Sequence, residues 1–123
     1  MERGIITHEI IDSAYKVHSA LGPGLLESAH RSCLAYELRK KDLNVEEEKL
    51  LPLIYEEIKL DCGYRIDMLV ENEVIVELKT VSELNNVHLA QVLTYLRFSD
   101  KKVGLLLNFY VKNLKDGIKR VSL

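Results

Sequence analysis

The segment Gly63-Tyr-Arg-Ile-Asp67-Met-Leu-Val-Glu-Asn72-Glu-Val-Ile-Val-Glu77-Leu-Lys79-Thr80 decides how the chain is read. Two alternating, apolar-rich runs flank the polar tip Glu71-Asn72-Glu73, the pattern of a β-hairpin. With Asn72 at the centre of the turn, Asp67 faces Glu77 and Arg65 faces Lys79. Strand side chains alternate between the two sides of a sheet. One face therefore carries Ile66, Met68, Val70, Val74, Val76 and Leu78, all apolar. The other carries Leu69 and Ile75 near the tip, then Asp67, Glu77, Arg65 and Lys79.

Facing residues place their Cβ atoms roughly 4.5–5.5 Å apart, and like charges so placed destabilise a sheet. Asp67 opposite Glu77 needs something to offset the repulsion. A divalent cation can do so, because Mg²⁺ is commonly held by one or two carboxylates together with waters and substrate phosphates. Lys79, two residues beyond Glu77 on the same face, is placed to meet a phosphate oxygen or an attacking water. The competing arrangement is a solvated outer face with Asp67–Lys79 and Arg65–Glu77 ion pairs, since one face of an antiparallel sheet often meets water.

Working outward, 123 residues suit one domain spanning 1–123. A hydrophobic share of 47% and a charged share of 29% are those of an ordinary globular chain. No apolar run approaches the roughly 20 residues of a membrane span, and the N-terminal Met-Glu-Arg-Gly carries no signal-peptide pattern. Cys33 and Cys62 make neither a disulfide framework nor a zinc quartet. A cytoplasmic protein without membrane contact is expected. The formal net charge of −2 disfavours a general nucleic-acid coat, yet charge is unevenly spread. Residues 46–61 hold six acids against Lys49 and Lys59, a local −4, whereas residues 97–123 hold seven bases against Asp100 and Asp116, a local +5. A basic end can follow a phosphate backbone, although most such runs are solvated surface.

The remaining chain reads as helices and strands in the order ααβββαβ(β), a mixed sheet flanked by helices. Thr7 is the expected N-cap of a first helix whose stripe is Ile10, Ile11, Ala14, Val17 and Leu21, with His18 in it as a hydrogen-bonded core residue. Gly22-Pro23-Gly24 stops that helix. A second helix is expected from about Leu25 to Lys41, with Leu26, Ala29, Cys33, Leu34 and Leu38 inward. Glu27 lies at the edge of that sector, either as a first-turn acid favoured by the helix dipole or as a functional carboxylate. Asn44–Tyr55 reads as a strand that Pro52 makes an edge or a bulge, and Ile58-Lys59-Leu60 as a short run pairing back to it. Ser82 is an expected cap before a third helix, Val87–Phe98, whose His88, Gln91 and Tyr95 form a polar stripe without Lys or Glu. Val103–Phe109 reads as a buried crossover strand, and Ile118–Leu123 as a short last one.

The hairpin, the third helix and their order resemble the PD-(D/E)XK phosphodiesterase superfamily, with its restriction-endonuclease-like fold. Asp67 and Glu77-Leu78-Lys79 match the Asp and Glu-X-Lys of that motif, with Ile66 in the place of its Pro. Gln91-Val-Leu-Thr-Tyr95 is similar to the Gln-X-X-X-Tyr motif of RecB-type exonucleases in the superfamily. Nearly the whole chain also resembles the GxxExxY proteins. The segments concerned are Leu21-Gly-Pro-Gly-Leu-Leu-Glu-Ser28, Gly63-Tyr-Arg-Ile-Asp67, Val76-Glu-Leu-Lys79 and Leu114-Lys-Asp-Gly-Ile-Lys-Arg120. In the naming motif, Gly24-Leu-Leu-Glu27-Ser-Ala-His30, a histidine stands where the family has Tyr.

The resemblance implies a metal-dependent nuclease acting on nucleic acid, DNA before RNA. Glu27, Asp67, Glu77 and the Leu78 carbonyl would hold Mg²⁺ or Mn²⁺. Lys79, Gln91 and Tyr95 would serve catalysis, with Arg65 and His88 as substrate contacts. The alternative is a module that keeps the fold without turnover, binding nucleic acid or assembling with protein, a homodimer through an open sheet edge included.

Overall fold

The computed structural model describes all 123 residues. Its elements are α1 (Arg3–Leu21), α2 (Glu27–Lys40), β1 (Val45–Tyr55), β2 (Ile58–Val70), β3 (Val74–Lys79), α3 (Asn86–Ser99), β4 (Val103–Asn108), a 3₁₀ turn (Leu114–Gly117) and β5 (Ile118–Ser122). The five strands form one sheet in chain order, β1-β2-β3-β4-β5. Only β3 and β4 run parallel, with α3 as the crossover between them. This is the mixed sheet and element order that the patterning predicts. No helix is long and apolar enough to cross a membrane.

Both faces of the sheet are covered, which is why β4 is buried at all six positions. On one side, Ile6, Ile10, Ala14 and Val17 of α1 and Leu34, Ala35 and Leu38 of α2 pack against Met68, Val70, Val74, Val76, Leu78, Leu105 and Leu107. On the other, Val92 and Leu96 of α3 pack against Ile66, Leu69, Ile75 and Leu106. The hairpin's second face is thus no solvated surface: its tip half is core, and its acidic half lies at the border of that core.

Alternation fails at one point. Ile66 packs on the α3 side, not with Met68 and Val70 as strict alternation requires, because β2 leaves its partner β3 there. The hairpin register is otherwise the expected one, with Val70 opposite Val74, Leu69 opposite Ile75 and Met68 opposite Val76. Glu71 and Asn72 both take positive φ at its tip.

Farther out, Ile58–Leu60 is not a separate run but the start of a 13-residue β2. With edge strand β1 it forms an arm whose register shifts between Leu51 and Leu53, at Pro52. Gly63 sits at that shift, where a Cβ would lie 2.2 Å from the Leu53 Cβ. The arm exposes Leu50, Ile54, Tyr55, Ile58 and Leu60.

Three helix starts differ from expectation. Thr7 is a buried interior residue of α1 whose hydroxyl donates to the Gly4 carbonyl, and the helix begins four residues earlier. α2 begins at Glu27, so Leu25 and Leu26 are exposed, and the buried position on its first turns is His30. Asn85, not Ser82, caps α3. Its side chain accepts from the Val87 and His88 N–H groups, and His88 Nδ1 accepts from the Asn85 N–H.

Candidate active site

The site lies where β2 and β3 part. Backbone pairing between them ends at Met68 and Val76. Past that point side chains take over: the Asp67 N–H donates to Glu77 Oε1 at 2.9 Å, and the Leu78 N–H donates to Asp67 Oδ2 at 2.8 Å. The two carboxylates thus bridge diverging strands, each with one oxygen held by a backbone N–H. Asp67 and Glu77 face one another, as the turn centred on Asn72 requires.

This pairing has an electrostatic cost. Glu77 is 4% exposed. Burial, and then the charge of Asp67, push its carboxyl up to about 8, against the opposing pull of the Asp67 N–H and of Lys79. Glu27, at the first turn of α2, is also raised, by burial first and by Asp67 second, with Lys79 and Arg31 acting the other way. The carboxyl of Glu27 therefore shares a field with Asp67 and Lys79, although it comes from the opposite end of the sequence. Burial, followed by the charges of Glu77 and Asp67, likewise raises the Tyr95 hydroxyl and keeps it neutral.

The third helix supplies the rest. Lys79 Nζ donates to Gln91 Oε1 at 3.1 Å. One turn on, Tyr95 stacks on Tyr64 of β2, ring centroids 5.1 Å apart and planes 18° from parallel. Six of the residues singled out in the sequence, Glu27, Asp67, Glu77, Lys79, Gln91 and Tyr95, thus share one region. Leu78 meets it through its backbone, its side chain being core.

Arg65 and His88 are used differently. Arg65 is not opposite Lys79, because β2 has already left β3. It pairs with Leu50 of β1, and its exposed guanidinium stands 3.7 Å from Glu48. His88 closes the capping box of α3 through Nδ1. Neither the Asp67–Lys79 nor the Arg65–Glu77 ion pair of the solvated-face arrangement forms: Lys79 turns to Gln91, and Arg65 to Glu48.

Four residues support the site in ways that the sequence pattern does not assign. Asn108, opposite Lys79 on β4, is buried; its Oδ1 accepts from the Val81 and Tyr110 N–H groups and its Nδ2 donates to the Val81 carbonyl. It fixes the chain that leaves Lys79, and the signal was one polar residue ending an otherwise apolar run. His30 is fully buried against Phe109, centroids 4.6 Å apart, and its Nε2–H donates to the Gly22 carbonyl at 2.9 Å, holding the turn that precedes Glu27. Arg31 ties α2 to β1 through Glu47 and Glu48. Tyr64 backs Tyr95. His18, by contrast, is the hydrogen-bonded core residue expected, donating from Nε2 to the Val111 carbonyl at 2.8 Å.

The donor set fits a hard divalent cation. No three His, Cys, Asp or Glu side chains are drawn into a ready-made cluster. Half-buried Asp67 and buried Glu77 nevertheless present carboxylate oxygens whose mutual repulsion a positive ion would relieve, and oxygen-only ligands suit Mg²⁺ or Mn²⁺. Glu27 is the third carboxylate in the same field.

A five-stranded mixed sheet with two helices on one face and one on the other, and acids on two diverging strands, defines a restriction-endonuclease-like fold. A family model described as the PD-(D/E)XK nuclease superfamily matches residues 5–121. The chain belongs to that superfamily. No curated protein and no solved structure matches it.

Proposed function

We propose that the protein is a metal-dependent nuclease that hydrolyses phosphodiester bonds, with DNA as the preferred substrate. The observation that carries this is the half-buried Asp67 set against the buried Glu77, whose carboxyl is raised to about 8 beside a lysine held by Gln91. Two facing acids at the border of a core weaken a fold, and strongly perturbed carboxyls beside a specific charge partner mark functional sites. Asp67, Glu77 and Glu27, with the Leu78 carbonyl, would hold Mg²⁺ or Mn²⁺. When bound, the cation supplies a lowered water pKa and charge stabilisation at the phosphate.

The chain's own groups do the positioning. The Asp67 and Leu78 N–H groups fix the carboxylates. Gln91 fixes Lys79 by accepting from it, and leaves the ammonium other protons to donate to a phosphate oxygen. Tyr95, neutral and stacked on Tyr64, offers a hydroxyl at the same place. The resemblance to RecB-type enzymes in Gln91 and Tyr95, and to GxxExxY proteins in Gly24–His30, supports these assignments. Cleavage of supercoiled and single-stranded DNA with Mn²⁺, compared between wild type and Lys79→Ala, tests the reading. Wild type should cut and the variant should lose ~10²-fold or more, as when a group that meets developing charge is removed. Equal cutting by both sinks it.

One observation favours assembly as a second reading: the β1–β2 arm exposes Leu50, Ile54 and Tyr55 on edge strand β1, with Ile58 and Leu60 of β2 beside them. If this arm pairs two copies, light scattering should show a dimer that Ile54→Lys with Ile58→Lys converts to monomer. A wild type that is monomeric at high concentration ends that reading.

A further inference from the structure

We propose that a groove between the α1–α2 turn and the loop after β4 carries the single strand of nucleic acid that flanks the scissile phosphate, with Lys112 and Lys115 as its phosphate contacts. This rests on the nuclease reading and extends it from the reacting bond to the strand around it.

The groove is open, holds about 570 Å³, and is lined by Tyr15, Ser19, Pro23, Lys112, Asn113 and Lys115 among others, with no acid among its walls. Both lysines are exposed and neither belongs to any ion pair. The neighbouring Asp116 lines a different cleft, with Glu83 and Lys119.

Two connections link the walls of the groove to the site. The Phe109 N–H donates to the Lys79 carbonyl at 3.0 Å, so the loop bearing Lys112 and Lys115 starts at the residue beside Lys79. On the other wall, Gly22 and Pro23 lead within five residues to Glu27.

The loop is fixed in advance. Phe109 and Leu114 are buried core residues, and the Val111 carbonyl accepts from His18. At Gly117 a Cβ would lie 2.2 Å from the Asn108 carbonyl oxygen, so the turn after Lys115 closes onto β4 only because no side chain is there. Such anchoring is costly for a loop that merely meets water and useful for one that presents cations. Tyr15, 41% exposed on the same wall, offers a flat ring. A cationic groove with an aromatic platform is the recognition mode of single strands, whose unpaired bases can stack. The Leu114-Lys-Asp-Gly-Ile-Lys-Arg120 segment, conspicuous in the sequence and unused by the acid site, thereby gains a role.

The test is fluorescence anisotropy of a labelled single-stranded 20-mer across a salt series with Ca²⁺, for wild type, Lys112→Ala with Lys115→Ala, and Lys101→Ala with Lys102→Ala. The last pair removes the same charge at the opposite end of β3 and β4, where Lys101 donates to Asn72. The groove variant should bind ~10-fold more weakly and lose about 1.4 from its salt slope, two phosphates at about 0.7 each. The control pair should bind as wild type does. Equal binding by wild type and the groove variant, or equal losses in both double variants, overturns the groove while leaving metal-dependent cutting intact. A wild type that neither binds nor cuts overturns the nuclease reading and the groove with it.

Discussion

Replacing Glu77 by Gln should stabilise the metal-free protein at neutral and alkaline pH. Glu77 is buried, and its carboxyl is raised from 4.5 to about 8 by burial and by Asp67. A carboxyl whose folded pKa exceeds its unfolded one binds more protons folded than unfolded between those values. Its contribution is therefore fully present below about pH 4.5 and is lost as pH climbs through about 8. At about 1.4 kcal/mol per unit, the full span of 3.5 units is about 5 kcal/mol, and the part falling between pH 5 and pH 8 is about 3–4 kcal/mol. Gln keeps an oxygen to accept the Asp67 N–H and carries no charge at any pH, so it mimics the protonated acid. Urea unfolding in chelator should show wild type losing that amount between pH 5 and pH 8 relative to Glu77→Gln, a midpoint shift of about 2 M at a typical slope. Saturating Mn²⁺ should close the gap for wild type at pH 8. Parallel stability curves for the two proteins over this range would refute the account of Glu77 as a carboxylate held against its own charge.

Two further outcomes follow from the residues around the acids. Gln91→Ala removes the acceptor that holds Lys79 at 3.1 Å; cleavage should fall ~10- to 100-fold with little change in melting temperature, and an unchanged rate in a single-turnover assay would remove Gln91 from the machinery. Asn108→Ala leaves the Val81 and Tyr110 N–H groups and the Val81 carbonyl without their partner. Chemical denaturation should register a loss of about 1–3 kcal/mol, together with slower cleavage through a displaced Lys79; full activity despite that loss would separate Asn108 from the site.

Much of this arrangement was legible in the chain because its signals are local. Strand alternation and the Glu71-Asn72-Glu73 tip give the hairpin register as far as Met68 opposite Val76, and the same counting brings Asp67 to Glu77, which meet through a side-chain bond. Helical spacing brings Gln91 and Tyr95 to one side of α3, and the apolar run Val103–Phe109 gives the crossover strand. What escaped depends on where strands stop pairing. The parting of β2 and β3 sends Ile66 to the α3 core and Arg65 to Glu48, and no pattern within residues 63–80 announces it. Cap type does not decide between helix starts, because Ser82 and Asn85 are both competent caps and the deciding fact is which start the core accepts. His30 was read as a departure from a motif, whereas packing on Phe109 and a bond to Gly22 make it the support of the turn before Glu27.

The reading above stands or falls on whether Asp67 and Glu77 form a cation site at the parting of β2 and β3. Anomalous diffraction from crystals grown with Mn²⁺ tests it most directly. A peak bound by carboxylate oxygens of both Asp67 and Glu77 at about 2.0–2.2 Å, the range for a small hard cation, is expected, with no such peak in Asp67→Asn crystals. Density at some other place, or none between these two acids at saturating Mn²⁺, would contradict it.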